Sequence, residues 1–204
     1  MNRTKLIAVA LCAATVVTTT AVAGDDFGIE SASPVKIADP VNPQPGMILS
    51  GYKTARYWNN EWLKGSVVGL SKASAIKTIV DKSEEFTLKS LGATESNAGM
   101  WVGFLKCKRA CVYTLTFTGD KYGHTGYSMR VNGNPVIIAA SGQTSADVPL
   151  RIGWNKIELV CHFSLNGARR NSVNIAYKPK GSLSDARPLT PAMMFHDQKP
   201  EEEW

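Results

Sequence analysis

The sequence predicts an all-β fold in which two antiparallel sheets pack as a β-sandwich. Between Gly46 and Lys178, short runs of apolar and β-branched residues alternate with turn residues. Near ten such runs fall within about 130 residues, which is the strand spacing of a two-sheet sandwich. The segment Asn132-Gly133-Asn134 is typical of a hairpin turn. A β-sandwich domain is therefore expected over residues 46–178.

Each expected strand shows the alternation or the β-branched content of a half-buried strand. The expected strands are 47–52, 65–70, 86–91, 100–106, 112–118, 127–131, 136–139, 146–150, 154–163 and 172–177. Residues 73–80 fit either a short helix or the end of a strand. Between Ile157 and Phe163 the odd positions are apolar, so Cys161 is expected to face the core and His162 to point outward.

The first residues are typical of a secretory signal peptide. Arg3 and Lys5 precede an apolar run over 6–17, and Ala21-Val22-Ala23 is a small-residue cleavage site before Gly24. A membrane anchor is the alternative, but the apolar run is shorter than the ~20 residues that span a bilayer. Residues 1–23 are therefore expected to be removed, without a remaining transmembrane segment, and the protein to be periplasmic or secreted.

Two segments flank the expected domain. Residues 24–45 contain four prolines and are expected to form an extended arm or linker, either a flexible leader or a strand added to a neighbour. Residues 179–204 form an irregular tail with the apolar patch Met193-Met194-Phe195. The tail is either disordered, or this patch docks on the sandwich or on a partner.

The charge of the chain argues against a nucleic-acid partner. The whole chain carries a formal net charge of +6, and the loss of Arg3 and Lys5 with the signal peptide leaves +4. The basic residues are scattered and form no continuous run, which is typical of a solvated surface. No nucleic-acid binding is expected.

Three cysteines remain after cleavage, in a compartment that favours oxidation. Cys107 and Cys111 flank Lys-Arg-Ala between two alternating runs. A three-residue hairpin loop would bring these two residues within disulfide reach, about 5.5 Å between Cα atoms. A Cys107–Cys111 disulfide is therefore predicted. Metal binding by this pair is the alternative, but further ligands at a suitable spacing are missing.

Four stretches carry a resemblance to a known family: 101–104, 113–117, 129–137 and 148–159. Their spaced aromatic residues and turns resemble the protective-antigen-like module, a β-sandwich found in bacterial toxins, glycosidases and yeast flocculin adhesins. The resemblance covers about residues 46–178. It implies a lectin-like or adhesive binding role more often than catalysis.

The resemblance also implies where a ligand would bind. Sugar-binding members hold calcium with two consecutive aspartates in the loop after the Tyr-Thr-Phe strand. In this chain the loop carries only Asp120, and Lys121 stands in place of the second carboxylate. Because calcium requires several oxygen ligands, an ammonium at this position opposes its binding. Calcium-dependent sugar binding is therefore doubtful, and no cofactor is expected.

The same loop has the composition of a contact surface. Tyr122, His124 and Tyr127 are interspersed with glycines that let a ligand approach the backbone. Trp58 and Trp62 form a second aromatic candidate. The expected ligand-binding residues are Asp120, Tyr122, His124, Tyr127, Trp58 and Trp62. The alternative is a solvated turn with Tyr127 in the core, and at least one of the two tryptophans in the core.

No catalytic motif occurs in the chain. The three histidines, His124, His162 and His196, lie in a glycine-rich loop, a strand and the tail. There is no nucleophile elbow, H-E-x-x-H sequence or phosphate-binding glycine loop. The pairs Asp25-Asp26 and Glu84-Glu85 are interpreted as solvated charge, because the carboxylates of a glycosidase meet across a cleft. A non-catalytic protein is therefore expected.

Three functional hypotheses follow. The first is a binding or adhesion module that recognises a carbohydrate or a protein at the cell surface through loops at one end of the sandwich. The second is a structural or accessory subunit of a surface assembly, such as a pilus or a secretion apparatus, in which the arm and the tail make the contacts. The third is a hydrolase whose site is assembled from distant residues.

Overall fold

The described part of the chain forms thirteen strands and two 3-10 helices. A computed structural model describes residues 37–53, 75–92, 95–119, 125–141, 143–163 and 172–197. The strands are β1 (Pro43–Pro45), β2 (Met47–Tyr52), β3 (Lys77–Asp81), β4 (Phe86–Thr87), β5 (Ala98–Cys107), β6 (Cys111–Thr118), β7 (Thr125–Val131), β8 (Asn134–Ser141), β9 (Gln143–Leu150), β10 (Gly153–Phe163), β11 (Ser172–Pro179), β12 (Arg187–Leu189) and β13 (Phe195–Asp197). The 3-10 helices are η1 (Leu88–Leu91) and η2 (Pro191–Met193).

These strands are arranged in two antiparallel sheets. The larger sheet has the order β1-β13-β5-β10-β7-β8, and β2 also pairs with β5 and with the edge strand β3. The smaller sheet has the order β12-β11-β6-β9, with β4 paired to β11. Every pairing is antiparallel. The predicted all-β sandwich is therefore confirmed.

The core lies between the two sheets and is built from the alternate residues that face inward. Its largest fully buried side chains are Trp101, Tyr127, Phe86, Phe117 and Phe163. The Phe86 and Trp101 rings meet edge to face, with centroids 5.8 Å apart. Cys161 is also fully buried in this core, on the face that the alternation predicted. Burial of this apolar area is the main term that stabilises the sandwich.

The packing of β2 and β13 beside β5 depends on the missing side chain at Gly103. A Cβ at this position would lie 2.8 Å from Met47 Cγ and 2.9 Å from the Phe195 carbonyl oxygen. The hydrogen side chain of glycine therefore makes room for β2 and β13, which flank β5 on the same side.

The segment from Cys107 to Cys111 crosses from one sheet to the other. Cys107 ends β5 and lies opposite Gly153 in the larger sheet, whereas Cys111 begins β6 and lies opposite Leu150 in the smaller sheet. The predicted hairpin is therefore wrong. The Cys107–Cys111 disulfide that rested on it is not formed in this structure, in which both thiols are free.

Residues 86–91 differ from the predicted strand. Only Phe86 and Thr87 pair with β11, and the chain then turns into η1. The Thr87 hydroxyl oxygen accepts a hydrogen bond from the Lys89 N–H at 3.4 Å, and Gly92 ends the turn with a φ of +75°. Capping by a threonine side chain and a glycine with positive φ stops the strand after two residues.

The sheets extend beyond the expected domain limits of 46 and 178. At one end β1 pairs with β13, so that part of the proline-rich arm joins the larger sheet. At the other end β12 pairs with β11. In the patch Met193-Met194-Phe195, Met194 is fully buried and the Phe195 ring packs edge to face on Trp154 at 5.3 Å. Part of the tail is therefore docked on the sandwich through this apolar patch.

A buried asparagine joins two turns at one end of the sandwich. Asn155 is fully buried, and its Oδ1 accepts hydrogen bonds from Asn132 Nδ2 at 2.9 Å and from the Arg151 N–H at 3.0 Å. Its Nδ2 donates to the Arg151 carbonyl at 2.9 Å. These bonds tie the turn after β7 to the turn before β10.

Replacing Asn155 with alanine is expected to lower the free energy of unfolding by about 2 kcal/mol, because buried polar groups lose their partners. Urea unfolding of the purified variant measures this loss. Asn174→Ala, at an exposed position of β11, is the matched control and should leave the midpoint unchanged. Equal midpoints for both variants would show that Asn155 does not hold the turns together.

Candidate functional site

One end of the sandwich, called the loop end here, collects strand ends from both sheets. In the larger sheet Ala98 lies opposite both Tyr52 and His162, and Thr125 lies opposite Phe163. In the smaller sheet Thr118 lies opposite Gln143 and Asn174. Because Ser141 and Gln143 are two residues apart and belong to different sheets, the two sets of strand ends are adjacent.

The predicted ligand-binding segments are connected to this loop end. Asp120, Tyr122 and His124 lie between Gly119 and Thr125, and Trp58 and Trp62 lie between Lys53 and Ala75; all five are outside the described residues. The residues that flank both segments are described. Gly119 follows the end of β6 and Thr125 begins β7, whereas Lys53 follows β2 and the Ile76 N–H donates to the Gly51 carbonyl at 2.8 Å. Both segments therefore leave and re-enter the sandwich at the loop end.

Tyr127 belongs to the core and is removed from the predicted ligand-binding set. Its side chain is fully buried, and its ring stacks on Phe117 with centroids 5.4 Å apart and an interplanar angle of 11°. Burial raises the pKa of Tyr127 to about 12. A ring enclosed in this way has no face left for a ligand, so the alternative interpretation of this residue is the correct one.

His162 corrects a second expectation. The alternation predicted an outward side chain, but only 1% of His162 is exposed. The last five residues of β10 are all buried, and on the outer face His162 lies beside a second buried apolar cluster of Tyr52, Ala98 and Val160. Desolvation lowers the pKa of His162 to about 4, so the imidazole is neutral at pH 7. It is a buried structural group and not a surface ligand.

Asn97 fixes the geometry of the loop end and was missed by the sequence analysis. Its N–H donates to the Tyr52 carbonyl at 2.9 Å, and its carbonyl accepts from the Phe163 N–H at 2.9 Å. Its Nδ2 lies 3.5 Å from His162 Nε2. Asn97 thereby bridges β2 and β10 beyond the start of β5. A single polar residue before a strand carries no sequence signal for such a bridge.

Three grooves lie on the described surface, and the first of them reaches Thr118 and Asn174 at the loop end. A groove of about 290 Å³ crosses the outer face of the smaller sheet, beside Glu84 and Glu85. A groove of about 560 Å³ lies on the outer face of the larger sheet, where the arm residues 37–41 pass over β5, β10 and β7. A pocket of about 250 Å³ lies far from the loop end and is lined by Tyr113, Tyr177, Pro179, Ser184, Asp185 and Arg187. None of the three was predicted as a site from the sequence.

The larger groove has a charged floor. Lys156 and Glu158 form an ion pair at 2.9 Å, with Arg130 directly opposite Glu158 on β7. The arm forms one wall of this groove, and an ion pair between Asp39 and Arg151, at 3.0 Å, attaches the arm to the sandwich.

The described residues contain no cluster suited to a metal ion and no helix suited to a membrane. No three His, Cys, Asp or Glu side chains of these ranges come together to hold a metal ion, and Asp120 lies outside them. The same ranges contain no helix with the length and apolar character needed to cross a bilayer.

The fold is similar to those of several solved structures. The PA14 domain of the MpAFP antifreeze protein aligns with a TM-score of 0.54 at 15% identity, over 80% of this chain and 97% of that domain. The PA14 sugar-binding domain from an RTX adhesin aligns with a TM-score of 0.51 at 15% identity, over 76% and 99%. The A domain of epithelial adhesin 9 from Candida glabrata, solved with Galb1-4GlcNAc, aligns with a TM-score of 0.54 at 12% identity, over 82% and 96%.

At these identities the likeness establishes only the fold, a β-sandwich similar to that of these domains. No family model matches the sequence, and no curated protein matches it either.

Proposed function

We propose that the chain is an exported, non-catalytic binding or adhesion module that recognises a carbohydrate or a protein at the cell surface through the loop end. The observation that carries this proposal is the convergence of strand ends from both sheets at the place where the segments with Asp120, Tyr122 and His124 and with Trp58 and Trp62 begin and end. Loops presented by a rigid scaffold are the usual place for recognition. The shared fold with a sugar-binding PA14 domain and with an adhesin domain bound to a disaccharide supports it.

The residue types in these segments suit a saccharide. The Asp120 carboxylate accepts hydrogen bonds from sugar hydroxyls, and the rings of Tyr122 and Trp58 offer flat apolar faces to the C–H face of a pyranose. Because Lys121 replaces the second aspartate of the resembled calcium site, we propose that binding does not require calcium.

The buried groups beneath the loop end make it a fixed platform. Asn97 ties β2 to β10, and Tyr127 stacks on Phe117 across the two sheets. The loops therefore start from strand ends whose positions are held by the core. Such preorganisation lowers the entropic cost of binding.

A glycan array with the protein from Gly24 onward tests the proposal. Tyr122→Ala and His124→Ala are each expected to reduce the strongest glycan signal about tenfold, which corresponds to about 1.4 kcal/mol of lost contact. The signal should persist in EDTA. Lys108→Ala, an exposed residue between β5 and β6 at the other end of the sandwich, is the control and should bind like the wild type. Unchanged binding by both loop variants would overturn the assignment of the loop.

The surface-assembly hypothesis has less support. Its contacts were assigned to the arm and the tail, but Pro43–Pro45 of the arm pairs with Phe195–Asp197 of the tail inside the larger sheet. These residues therefore already pair with each other within the chain. A truncation that tests assembly must spare them and remove only residues 24–36 and 198–204.

A further inference from the structure

A pocket at the end of the sandwich opposite the loop end has the features of a second binding site. We call it the tyrosine pocket; it is lined by Tyr113, Tyr177, Pro179, Ser184, Asp185 and Arg187 and has a volume of about 250 Å³. Tyr113 lies five residues before Thr118 on β6. At about 3.4 Å per residue, the pocket is therefore ~17 Å from the loop end along the strand.

Two tyrosines form an angled wall of this pocket. Tyr113 lies opposite Pro179, and Tyr177 lies opposite Leu115, so the two tyrosines are diagonal neighbours on one face of the smaller sheet. Their ring centroids are 5.9 Å apart, and the ring planes make an angle of 55°. Both rings are half-buried against the core, which holds them in place without covering them.

Polar groups that have no partner among the described residues line the same pocket. Arg187 lies directly opposite Tyr177 on β12, and Asp185 is on the turn that precedes it. Within the described ranges, neither of these charged side chains forms an ion pair, and neither tyrosine hydroxyl has a hydrogen-bond partner. Burial raises the pKa of Tyr113, so its phenol stays protonated and can donate. A donor, an acceptor and two hydroxyls are thus free for a ligand.

The turn that carries Asp185 is held by its own hydrogen bonds. The Ser182 N–H donates to the Pro179 carbonyl at 3.0 Å, and the Ser184 N–H donates to the Ser182 hydroxyl oxygen at 3.1 Å. The two serine hydroxyls are 2.7 Å apart, and Gly181 supplies the positive φ of +75°. The acidic wall of the pocket is therefore preformed before any ligand binds.

We propose that the tyrosine pocket binds one neutral pyranose ring and is a saccharide site separate from the loop end. Arg187 opposes a cationic ligand, and Asp185 opposes an anionic one. A neutral polyhydroxylated ring is attracted by both, because vicinal hydroxyls donate to the carboxylate and accept from the guanidinium. The tyrosine rings pack on the apolar C–H face of the sugar.

NMR titration of the protein from Gly24 onward with methyl β-galactopyranoside, methyl β-glucopyranoside and methyl α-mannopyranoside tests this site. At sugar concentrations up to about 50 mM, which detect millimolar dissociation constants, at least one sugar is expected to shift the amides of Tyr113, Tyr177 and 184–187. Asp185→Asn is expected to weaken that binding about tenfold. Asp185 is exposed and makes no hydrogen bond in the described structure, so this variant should fold normally.

Tyr177→Ala is the second variant, and its fold is checked by near-ultraviolet circular dichroism. Lys89→Ala is the control and should bind like the wild type. The proposal is overturned if no sugar shifts the pocket amides, if only loop-end amides shift, or if Asp185→Asn binds as well as the wild type. Failure of the loop-end proposal would instead appear as unchanged binding by Tyr122→Ala and His124→Ala, so the two sites are tested independently.

Discussion

Replacing Asp81 with alanine is expected to lower the free energy of unfolding by about 3 kcal/mol. Asp81 is 1% exposed, and its Oδ2 accepts a hydrogen bond from Trp101 Nε1 at 2.7 Å. Its Oδ1 accepts from the Ser83 N–H and from the Ser90 hydroxyl, each at 3.0 Å. Because Trp101 is fully buried, water cannot replace the lost acceptor at the indole N–H. Chemical unfolding in urea measures the loss.

Two further variants separate the hydrogen bonds from other effects. Lys82→Ala, at the exposed neighbouring position, should leave the midpoint unchanged. In the Trp101→Phe background the Asp81→Ala change should cost less than in the wild type, because the indole donor is already absent. A cost that is equal in both backgrounds would show that the indole bond does not stabilise the fold.

A fall in stability between about pH 6.5 and about pH 4 is the second expected result, and its source is His162. Desolvation lowers the pKa of His162 from its ordinary value of 6.5 to about 4 in the folded chain. As the pH falls below 6.5, the unfolded chain takes up the proton first, so the free energy of unfolding decreases until the folded imidazole is also protonated. The shift corresponds to about 3 kcal/mol, and no contribution is expected above pH 7.

Urea unfolding of the wild type and of His162→Gln over this pH range tests the assignment. The difference in free energy of unfolding between the two proteins should change by about 3 kcal/mol in favour of the variant as the pH falls from about 7 to about 4. Lys108→Gln, at an exposed position, removes a charge but no buried imidazole and should keep the wild-type pH dependence. Parallel curves for the wild type and His162→Gln would rule out His162 as the source.

The wrong predictions have one physical cause, which is that each depended on contacts between residues far apart in the chain. Two strands joined by three residues form a hairpin in one sheet or a crossover between sheets, and the local residues are the same in both cases. Cys107 and Cys111 lie in different sheets because β5 pairs with β10 and β6 pairs with β9. His162 is buried on the outer face of the larger sheet, where Ala98 from β5 lies opposite it and Tyr52 from β2 is buried as well.

The two candidate sites also differ in whether the sequence could reveal them. Composition identified the segment from Asp120 to Tyr127, because glycines and aromatic residues are adjacent there in the sequence. The tyrosine pocket could not be recognised from composition, because Tyr113 and Tyr177 come from strands far apart in the sequence and Arg187 comes from the tail. Only the order β12-β11-β6 brings these three side chains to one place.

Alternation of apolar and polar residues alone determined the two-sheet fold and the inward position of Cys161, because the two-residue period of a strand decides which face a side chain joins. Tertiary structure alone decided which strands became neighbours, and with that the free thiols, the buried imidazole and the two ends at which ligands are proposed to bind. Strand pairing joins residues far apart in the chain through backbone hydrogen bonds, which carry almost no information about side-chain type.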